Sequence, residues 1–188
     1  MNKRCEWGDS SEIYRNYHDE EWGVPVFDDQ KLFEFLVLES AQAGLSWITI
    51  LKRREGYRNA FANFDPVKVA LYNETKVEEL MQDTGIIRNR RKIEATVSNA
   101  RAFLKIQEEF GSFSKYIWNF VEGKPIDNDF EKLSDLPAKT ELSESISMDM
   151  KKRGFKFLGP TVIYAHMQAT GLVNDHLVYC FRHREISY

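Results

Sequence analysis

The sequence predicts an all-α protein. Apolar residues recur at helical spacing along most of the 188 residues, and no stretch of useful length alternates in the manner of a β-strand. Polar capping residues precede these stretches, and glycine or proline follows them. With 43% hydrophobic and 29% charged residues, the chain can bury a sizeable core, either as one domain over residues 1–188 or as two helical lobes.

The first two predicted helices are defined by their caps. The polar triplet 9–11 caps a helix that runs to Trp22 and ends at Gly-Val-Pro, residues 23–25. An aspartate at position 28 or 29 opens the next helix, over 31–43, which is apolar nearly all round. A helix of this kind is buried.

The later helices follow the same signals. Ser46 and Asp65-Pro66 are typical of helix starts, and Gly111 and Gly171 of helix ends. Residues 123–136, rich in Asp and Asn, predict a surface loop between lobes. The predicted spans are 47–61, 66–71, 75–83, 89–110, 114–121, 141–152 and 160–170.

The composition indicates a cytoplasmic protein. No run approaches the roughly 20 apolar residues of a membrane span, and the N-terminus lacks the apolar core of a signal peptide. In a reducing compartment Cys5 and Cys180 are not expected to form a disulfide, which leaves metal ligation or plain burial.

The net charge of −3 argues against a nucleic-acid partner, but the distribution of charge argues for one. A local basic patch can bind phosphates on a slightly acidic chain, although three solvated helix ends would look the same. The basic residues gather in three clusters: Lys52, Arg53, Arg54 and Arg58; Arg88, Arg90, Arg91 and Lys92; Lys151, Lys152, Arg153 and Lys156.

Two cysteines and two histidines near the chain ends could bind one metal ion. They are spaced Cys-x12-His and His-x3-Cys, and the second pair would face the same way if its segment were helical. Four such ligands make a closed tetrahedral zinc shell without an open position, which is structural rather than catalytic. Ordinary burial of all four is the alternative. The residues are Cys5, His18, His176 and Cys180.

A second constellation predicts a pocket. Glu39 follows the apolar face of its helix, and Tyr17, Trp22 and Trp47 lie on neighbouring elements. A carboxylate among aromatic planes suits a flat cationic ligand, through stacking, cation–π attraction and charge pairing. The alternative is that the aromatic residues are core and that Glu39 pairs with an arginine.

The stretch from Arg153 to Cys180 predicts a phosphate-binding turn. Gly154 and Gly159 bracket a short turn that can bring backbone N–H groups close to an anion, and Pro160 suits the first position of the helix that follows.

Motifs along nearly the whole chain resemble the bacterial 3-methyladenine DNA glycosylase I family, in the helix-hairpin-helix DNA glycosylase superfamily. Motifs this numerous, in this order, are far more specific than any one of them. They are Cys5-Glu-Trp7, Tyr17-His-Asp-Glu-Glu-Trp-Gly-Val-Pro25, Glu39-Ser-Ala-Gln-Ala-Gly-Leu-Ser-Trp-Ile48, Phe64-Asp-Pro66, Gly85-Ile-Ile-Arg88 with Lys92-Ile93, Lys152-Arg-Gly-Phe-Lys-Phe157 and Gly171-Leu-Val-Asn-Asp-His176.

The resemblance implies an all-α helix-hairpin-helix fold with a zinc ion joining the chain ends and a cleft for DNA and base. It implies that Tyr17 and Glu39 hydrogen-bond the methylated base and that Trp47 stacks on it. Trp7 and Trp22 would form the pocket wall, and Gly44 and Leu45 the loop that enters the DNA stack. The hairpin that contacts DNA would comprise Gly154, Phe155, Lys156 and Gly159.

Two positions depart from the wider superfamily. Asn174 stands where most members carry a catalytic aspartate, with Asp175 one place later, so a water-activating aspartate is in doubt. Thr161 stands where bifunctional members carry a nucleophilic lysine. The resemblance therefore implies a monofunctional enzyme of base excision repair that flips out and excises 3-methyladenine, with no lyase activity.

The implied partners are double-stranded alkylated DNA and free 3-methyladenine as product, bound by a monomer. Methylation at N3 makes adenine a cation and hence a good leaving group, so the resemblance leaves open whether Glu39 acts as a general base. Activity on 3-methylguanine is also left open. A non-enzymatic helix-hairpin-helix DNA-binding protein with a structural zinc is the alternative, but it would not need Glu39 among aromatic residues.

Overall fold

The computed structural model describes residues 3–186 and is mostly helical, which confirms the predicted class. Short helices of the 3-10 type lie at Glu6–Asp9, Ala62–Phe64 and Leu133–Asp135. The α-helices are α1 (Glu12–Glu20), α2 (Asp29–Gln42), α3 (Trp47–Leu51), α4 (Arg54–Ala60), α5 (Pro66–Ala70), α6 (Glu74–Leu80), α7 (Arg90–Phe110), α8 (Phe113–Asn119), α9 (Glu141–Lys152), α10 (Pro160–Ala169) and α11 (Phe181–Ile186).

Helix α2 lies at the centre of the fold. Every residue from Leu32 to Ala41 is buried, as its all-round apolar pattern predicts. Helices α7, α8 and α10 pack around it. Phe33 meets Phe103 of α7 edge-on at 5.2 Å between ring centroids, and His166 of α10 donates from Nε2 to the carbonyl oxygen of Leu32. The polar or charged side chains of α2 in this stretch are therefore held inside the protein.

The two candidate aspartates before α2 cap different helices. Asp28 accepts from the backbone N–H of Lys31 and is the N-cap of α2. The Asp29 carboxylate instead accepts from the N–H groups of Phe113 and Ser114, at the start of α8. Ser11 is the cap of α1 among its three candidates. Adjacent capping residues thus serve helices far apart in sequence, which local pattern cannot distinguish.

The single helix predicted over 47–61 is wrong, because two helices, α3 and α4, replace it. Arg53 leaves the helical region, with φ −103° and ψ 3°. This break lets Arg54 donate to Glu21 and Glu34, at 2.7 and 2.8 Å, in an ion-pair network with the ends of α1 and α2. Ser46 makes no side-chain capping hydrogen bond to the α3 backbone.

A minimal strand pair was also missed. β1 (Ile126–Asp127) and β2 (Val173–Asn174) pair in parallel, with Ile126 opposite Val173. Two residues are too few to show alternation. β1 lies in the predicted loop 123–136, so this loop is tied to the segment that follows α10.

The helix-hairpin-helix consists of α9, the turn over 153–159 and α10, as expected. Gly154 has a φ of +96°, and its N–H donates to the carbonyl oxygen of Lys151. Gly159 is the N-cap of α10 and Pro160 its first residue. Ser147 of α9 donates to the carbonyl oxygen of Leu158 at 2.7 Å, which closes the turn.

Among residues 3–186, no helix is long and apolar enough to cross a membrane.

Gly171 gives a test of the packing behind the fold. Its φ is +73°, and a Cβ there would lie 2.5 to 2.7 Å from backbone atoms of Gly23, Val24 and Pro25. Gly123 has a similar φ of +76° with nothing within 4 Å. Gly123→Ala should therefore cost only the strain of the left-handed conformation, about 1–2 kcal/mol.

Gly171→Ala should cost at least about 2 kcal/mol more than Gly123→Ala, since backbone must move to admit the methyl group. Urea denaturation of both variants measures the difference. Equal destabilisation would show that the contact between Gly171 and residues 23–25 is not tightly packed.

Candidate aromatic pocket and metal centre

A cavity of about 340 Å³ opens between α1, α2, α3 and α10. It brings together the five residues that sequence analysis assigns to a pocket, from four separate elements. The lining is mainly aromatic, with a single carboxylate. The lining residues are Trp7, Tyr14, Tyr17, Trp22, Glu39, Gln42, Trp47, Leu133, Leu136, Ala165 and Gln168.

The aromatic rings of the pocket hold one another at defined angles. Tyr17 and Trp47 are tilted by 54° with centroids 5.6 Å apart. Trp7 and Trp22 meet edge-on at 5.0 Å, and Trp7 also contacts Tyr14 and Tyr17. Because each ring packs on others, the walls are largely preformed.

Glu39 is a buried carboxyl group without a counter-charge. It is 5% exposed, and within residues 3–186 its side chain makes no hydrogen bond or ion pair. Burial raises the pKa of Glu39 to about 8. Arg54 of the neighbouring α4 pairs with Glu21 and Glu34 instead. The alternative in which Glu39 pairs with an arginine is therefore wrong.

Six lining residues were not among the predicted site residues. Tyr14 precedes Tyr17 by one helical turn, and Gln42 follows Glu39 by one turn, so helical spacing could have revealed both. Gln168 and Ala165 come from α10. Leu133 and Leu136 come from the loop whose position depends on the β1–β2 pairing. No local signal marks these last four as pocket residues.

The four predicted metal ligands converge. Their donor atoms all lie within 4.8 Å of one another, and all four residues are buried. Sγ of Cys180 lies 3.5 Å from Nε2 of His18 and 3.6 Å from Nδ1 of His176, and Sγ of Cys5 lies 3.7 Å from the same Nδ1. A tetrahedral zinc shell with ordinary bond lengths places sulfur and nitrogen about 3.6 Å apart.

The outer contacts orient both imidazole rings toward this centre. Nδ1 of His18 donates to Asp19 at 2.8 Å, and Nε2 of His176 donates to the Trp22 carbonyl oxygen at 2.9 Å. The lone pairs of the other two ring nitrogens are thereby left for a metal. Arg4 in turn donates to Asp19. His176 and Cys180 lie in a turn rather than a helix, so their convergence does not come from helical spacing.

The donor chemistry fits a metal that prefers sulfur and nitrogen. Burial lowers the pKa of His176, which favours the neutral, ligating form. A hydrogen bond from the neighbouring Cys5 thiol lowers the pKa of the Cys180 thiol. The N–H of Leu177 donates to Sγ of Cys5. The buried cluster of two cysteines and two histidines is thus consistent with a metal site.

The metal centre and the pocket share a wall. Trp22 packs edge-on against His176 at 4.6 Å, and Trp7 against His18 at 5.1 Å. The two tryptophans thus have a ligand imidazole on one side and the cavity on the other. The centre therefore supports the pocket as well as joining the chain ends.

The segments predicted to contact DNA lie at the surface. Leu45 is 37% exposed, and Gly44 has a φ of +81° with nothing within 4 Å of a Cβ. In the hairpin Gly154, Lys156 and Gly159 are exposed. Phe155 is buried at 4%, so its ring belongs to the core and it offers only backbone to a ligand.

Each basic cluster is partly neutralised. Arg54, Arg58, Arg90 and Arg153 form ion pairs with carboxylates. Within the described part of the chain, the remaining members have no carboxylate partner. They are Lys52 and Arg53, Arg88, Arg91 and Lys92, and Lys151, Lys152 and Lys156.

Asp175 is unsuited to activating water. It is 1% exposed, and its carboxylate accepts from Tyr164, Gln168 and Asn128 at 2.6 to 2.8 Å. Asn174 donates to Asp127 and to the His183 carbonyl oxygen. Both side chains hold the segment after α10 in place.

Fold and site together define a helical protein with a helix-hairpin-helix, an aromatic pocket that contains one buried carboxyl group, and a buried Cys2His2 cluster that fits a metal ion. The model of the methyladenine glycosylase family matches residues 7–183. The chain belongs to this family, as the sequence motifs indicate.

Similar proteins span its whole length. The DNA-3-methyladenine glycosylase of Haemophilus influenzae is 52% identical over 180 residues, which is 96% of this chain and 97% of that protein. DNA-3-methyladenine glycosylase 1 of Escherichia coli is 52% identical over 178 residues, 95% of each. A solved 3-methyladenine DNA glycosylase I from Staphylococcus aureus has a TM-score of 0.92 at 43% identity and covers 95% of each chain.

The unpaired Glu39 should make stability depend on pH. Its pKa is about 8 in the folded protein against an ordinary 4.5, so its folded form keeps a proton that its unfolded form loses. This contribution to stability is fully present below pH 4.5 and is lost as the pH rises through 8. The free energy of unfolding of Glu39→Gln, relative to that of wild type, should therefore rise by about 2–4 kcal/mol between pH 5 and pH 9.

Urea denaturation of both proteins at the two pH values measures this gain, with the exposed Glu20→Gln as the control for removal of a carboxylate. A stability difference between Glu39→Gln and wild type that is the same at pH 5 and pH 9 would show that the Glu39 carboxylate is solvated or paired.

Proposed function

We propose that this chain is a monofunctional DNA glycosylase that flips 3-methyladenine out of alkylated DNA and hydrolyses its N-glycosidic bond, in base excision repair. The observation that carries the proposal is Glu39, a carboxyl group buried among aromatic rings without a counter-charge. Two relatives are named for activity on 3-methyladenine, and one solved structure is described as 3-methyladenine bound to such an enzyme.

The pocket selects the lesion by charge and shape. A base methylated at N3 is a cation while it is attached to the sugar, and its entry stabilises the ionised form of Glu39 in a dry site. Neutral adenine offers no such compensation. Tyr17 and Glu39 hydrogen-bond the base, Trp47 stacks on it, and Trp7 and Trp22 close the wall.

The same charge drives the reaction. A cationic base leaves as a neutral molecule, so bond cleavage needs no general acid. Glu39 is the catalytic residue by its place beside the base, where a carboxylate can stabilise the positive charge that develops on the sugar. Asp175 is occupied by three hydrogen bonds, and Thr161 offers no amine. These features favour hydrolysis without a lyase step.

Double-stranded DNA is gripped mainly through phosphate. Gly159 offers its backbone N–H at the start of α10 and Lys156 its exposed side chain. The N–H groups of Gly154, Phe155 and Lys156 donate to Lys151, Met150 and Asn99 and so hold the turn in shape. Basic residues without carboxylate partners, Lys151, Lys152 and Lys156, lie in the hairpin and directly before it. The exposed Leu45 of the other loop enters the base stack. A non-enzymatic DNA-binding protein would share these features, but it would gain nothing from burying Glu39.

The metal is a structural zinc ion bound by Cys5, His18, His176 and Cys180. Zinc is favoured by two thiolates and two imidazoles at tetrahedral spacing. When bound, it supplies folding free energy and no bond-breaking chemistry. The protein acts as a monomer in the cytoplasm, as a single helix-hairpin-helix domain with the DNA and base cleft between its two helical lobes.

Release of free base from methylated duplex DNA tests the function. Wild type should release 3-methyladenine and leave the abasic strand uncut, which chromatography of the base and denaturing gel analysis of the strand measure separately. Glu39→Gln and Trp47→Ala should each weaken binding of free 3-methyladenine by about 1–3 kcal/mol, through the altered hydrogen bond at position 39 and the lost stacking.

Unmodified adenine is the control ligand in the binding titration. DNA binding without base release would favour the non-enzymatic alternative. Equal affinity of wild type and Glu39→Gln for 3-methyladenine would leave the enzyme in place but remove Glu39 from lesion recognition.

The purified protein should contain one zinc ion per chain. Cys5→Ser and His176→Ala should each lose the metal and several kcal/mol of stability, since the centre joins residues more than 150 positions apart. Elemental analysis and thermal unfolding with and without a chelator measure both effects. A metal-free wild type of undiminished stability would contradict the assignment.

A further inference from the structure

Helix α7 reaches both segments that the proposed function assigns to DNA. Near its start, Nζ of Lys92 donates to the carbonyl oxygens of Ala41 and Ala43, at 2.8 and 2.6 Å. These carbonyls end α2, directly before Gly44 and Leu45. A cation at this position also suits the negative end of the α2 dipole.

Seven residues further along, α7 holds the hairpin. Oδ1 of Asn99 accepts from the backbone N–H of Lys156 at 2.8 Å, and Nδ2 of Asn99 donates to the carbonyl oxygen of the same residue at 2.9 Å. Asn99 is 3% exposed. Both polar atoms of this buried amide thus bind the backbone of one hairpin residue.

The two anchors share a face of one rigid element. Seven residues are two helical turns, so Lys92 and Asn99 point the same way and lie about 10 Å apart along the axis. Both bind backbone rather than side chains, so they fix where the two segments run. Neither residue lines the pocket.

We propose that Lys92 and Asn99 are positioning residues that set, from one face of α7, the spacing between the Gly44–Leu45 loop and the hairpin. A duplex whose phosphates are held by the hairpin is then presented to the loop at a fixed distance. Lys92 controls insertion of the loop after DNA has bound, and Asn99 controls the affinity of the hairpin for the duplex. This inference rests on the proposed function.

Three variants separate these roles: Lys92→Met, Asn99→Leu and, as a matched control, Lys105→Met on the exposed side of the same helix. The measurements are single-turnover release of base from methylated duplex, affinity for unmodified duplex, and affinity for free 3-methyladenine. Displacement of a reacting group by about 1 Å can cost a hundredfold in rate.

Lys92→Met should slow base release at least about tenfold while changing duplex affinity less than about threefold. Asn99→Leu should weaken duplex affinity at least about tenfold. Both should keep wild-type affinity for free 3-methyladenine, which shows that the pocket is folded. Lys92→Arg, which still offers donors to the two carbonyls, should recover most of the rate, and Lys105→Met should behave as wild type.

Variants at Lys92 and Asn99 that match Lys105→Met would overturn the inference. So would a loss of free-base affinity equal to the loss of rate, because the anchors would then act through the pocket. If wild type released no base, the proposed function would fail instead. The inference would then be tested with a duplex that carries a stable abasic-site analogue opposite a fluorescent base. Titration gives the affinity, and the fluorescence change reports insertion of the loop. Affinity and fluorescence change equal to wild type in both variants would refute the inference.

Discussion

Most of the packing in this protein depends on one constraint, which is that α2 has no polar face and must be buried on all sides. Ten consecutive buried residues from Leu32 to Ala41 require other helices to cover the whole circumference, and α7, α8 and α10 do so. Glu39 lies within this stretch, is 5% exposed and lines the cavity. Its carboxyl group is either protonated or matched by a cation, and the pocket beside it is where such a cation can enter.

The Cys2His2 cluster joins chain ends that have no continuous apolar stripe to hold them together. The N-terminal segment contributes a short 3-10 helix and α1, whose inner face carries pocket aromatics rather than a continuous apolar stripe. Four buried ligands hold it against the segment after α10, and the N–H of Phe181 donates to the Lys3 carbonyl oxygen beside them. Trp7 and Trp22 pack on the imidazoles of this cluster, and Trp22 also packs with Phe35 and Ala169. The Cys2His2 cluster and a small apolar core therefore support the pocket wall together.

Sequence reasoning reached the features that depend on residue type and missed those that depend on tertiary contact. Buried α2 and the convergence of Cys5 with Cys180 were within reach of pattern and chemistry. The polar segments that cap α1 and α2 were also identified, but the choice of Ser11 and Asp28 within them was not. The break at Arg53 was not within reach, since it accompanies ion pairs of Arg54 with Glu21 and Glu34, which are distant in sequence. Leu133 and Leu136 reach the pocket through a strand pair of two residues, too short to leave a periodic trace.

In the proposed function, recognition of the lesion is separate from binding of the DNA backbone. Glu39 and the aromatic rings would respond to the charge and planarity of one base, whereas the hairpin and the loop at Gly44 and Leu45 would contact a duplex whose backbone is the same at every base. A buried carboxyl group without a counter-charge lowers the stability of the fold while the pocket is empty. A neutral base does not remove this loss of stability. Under the proposed function, selectivity therefore comes from a free-energy penalty in the empty protein that a cationic base attached to DNA removes. Such a penalty is tolerable because the centre at the chain ends and the packing around α2 supply stability elsewhere.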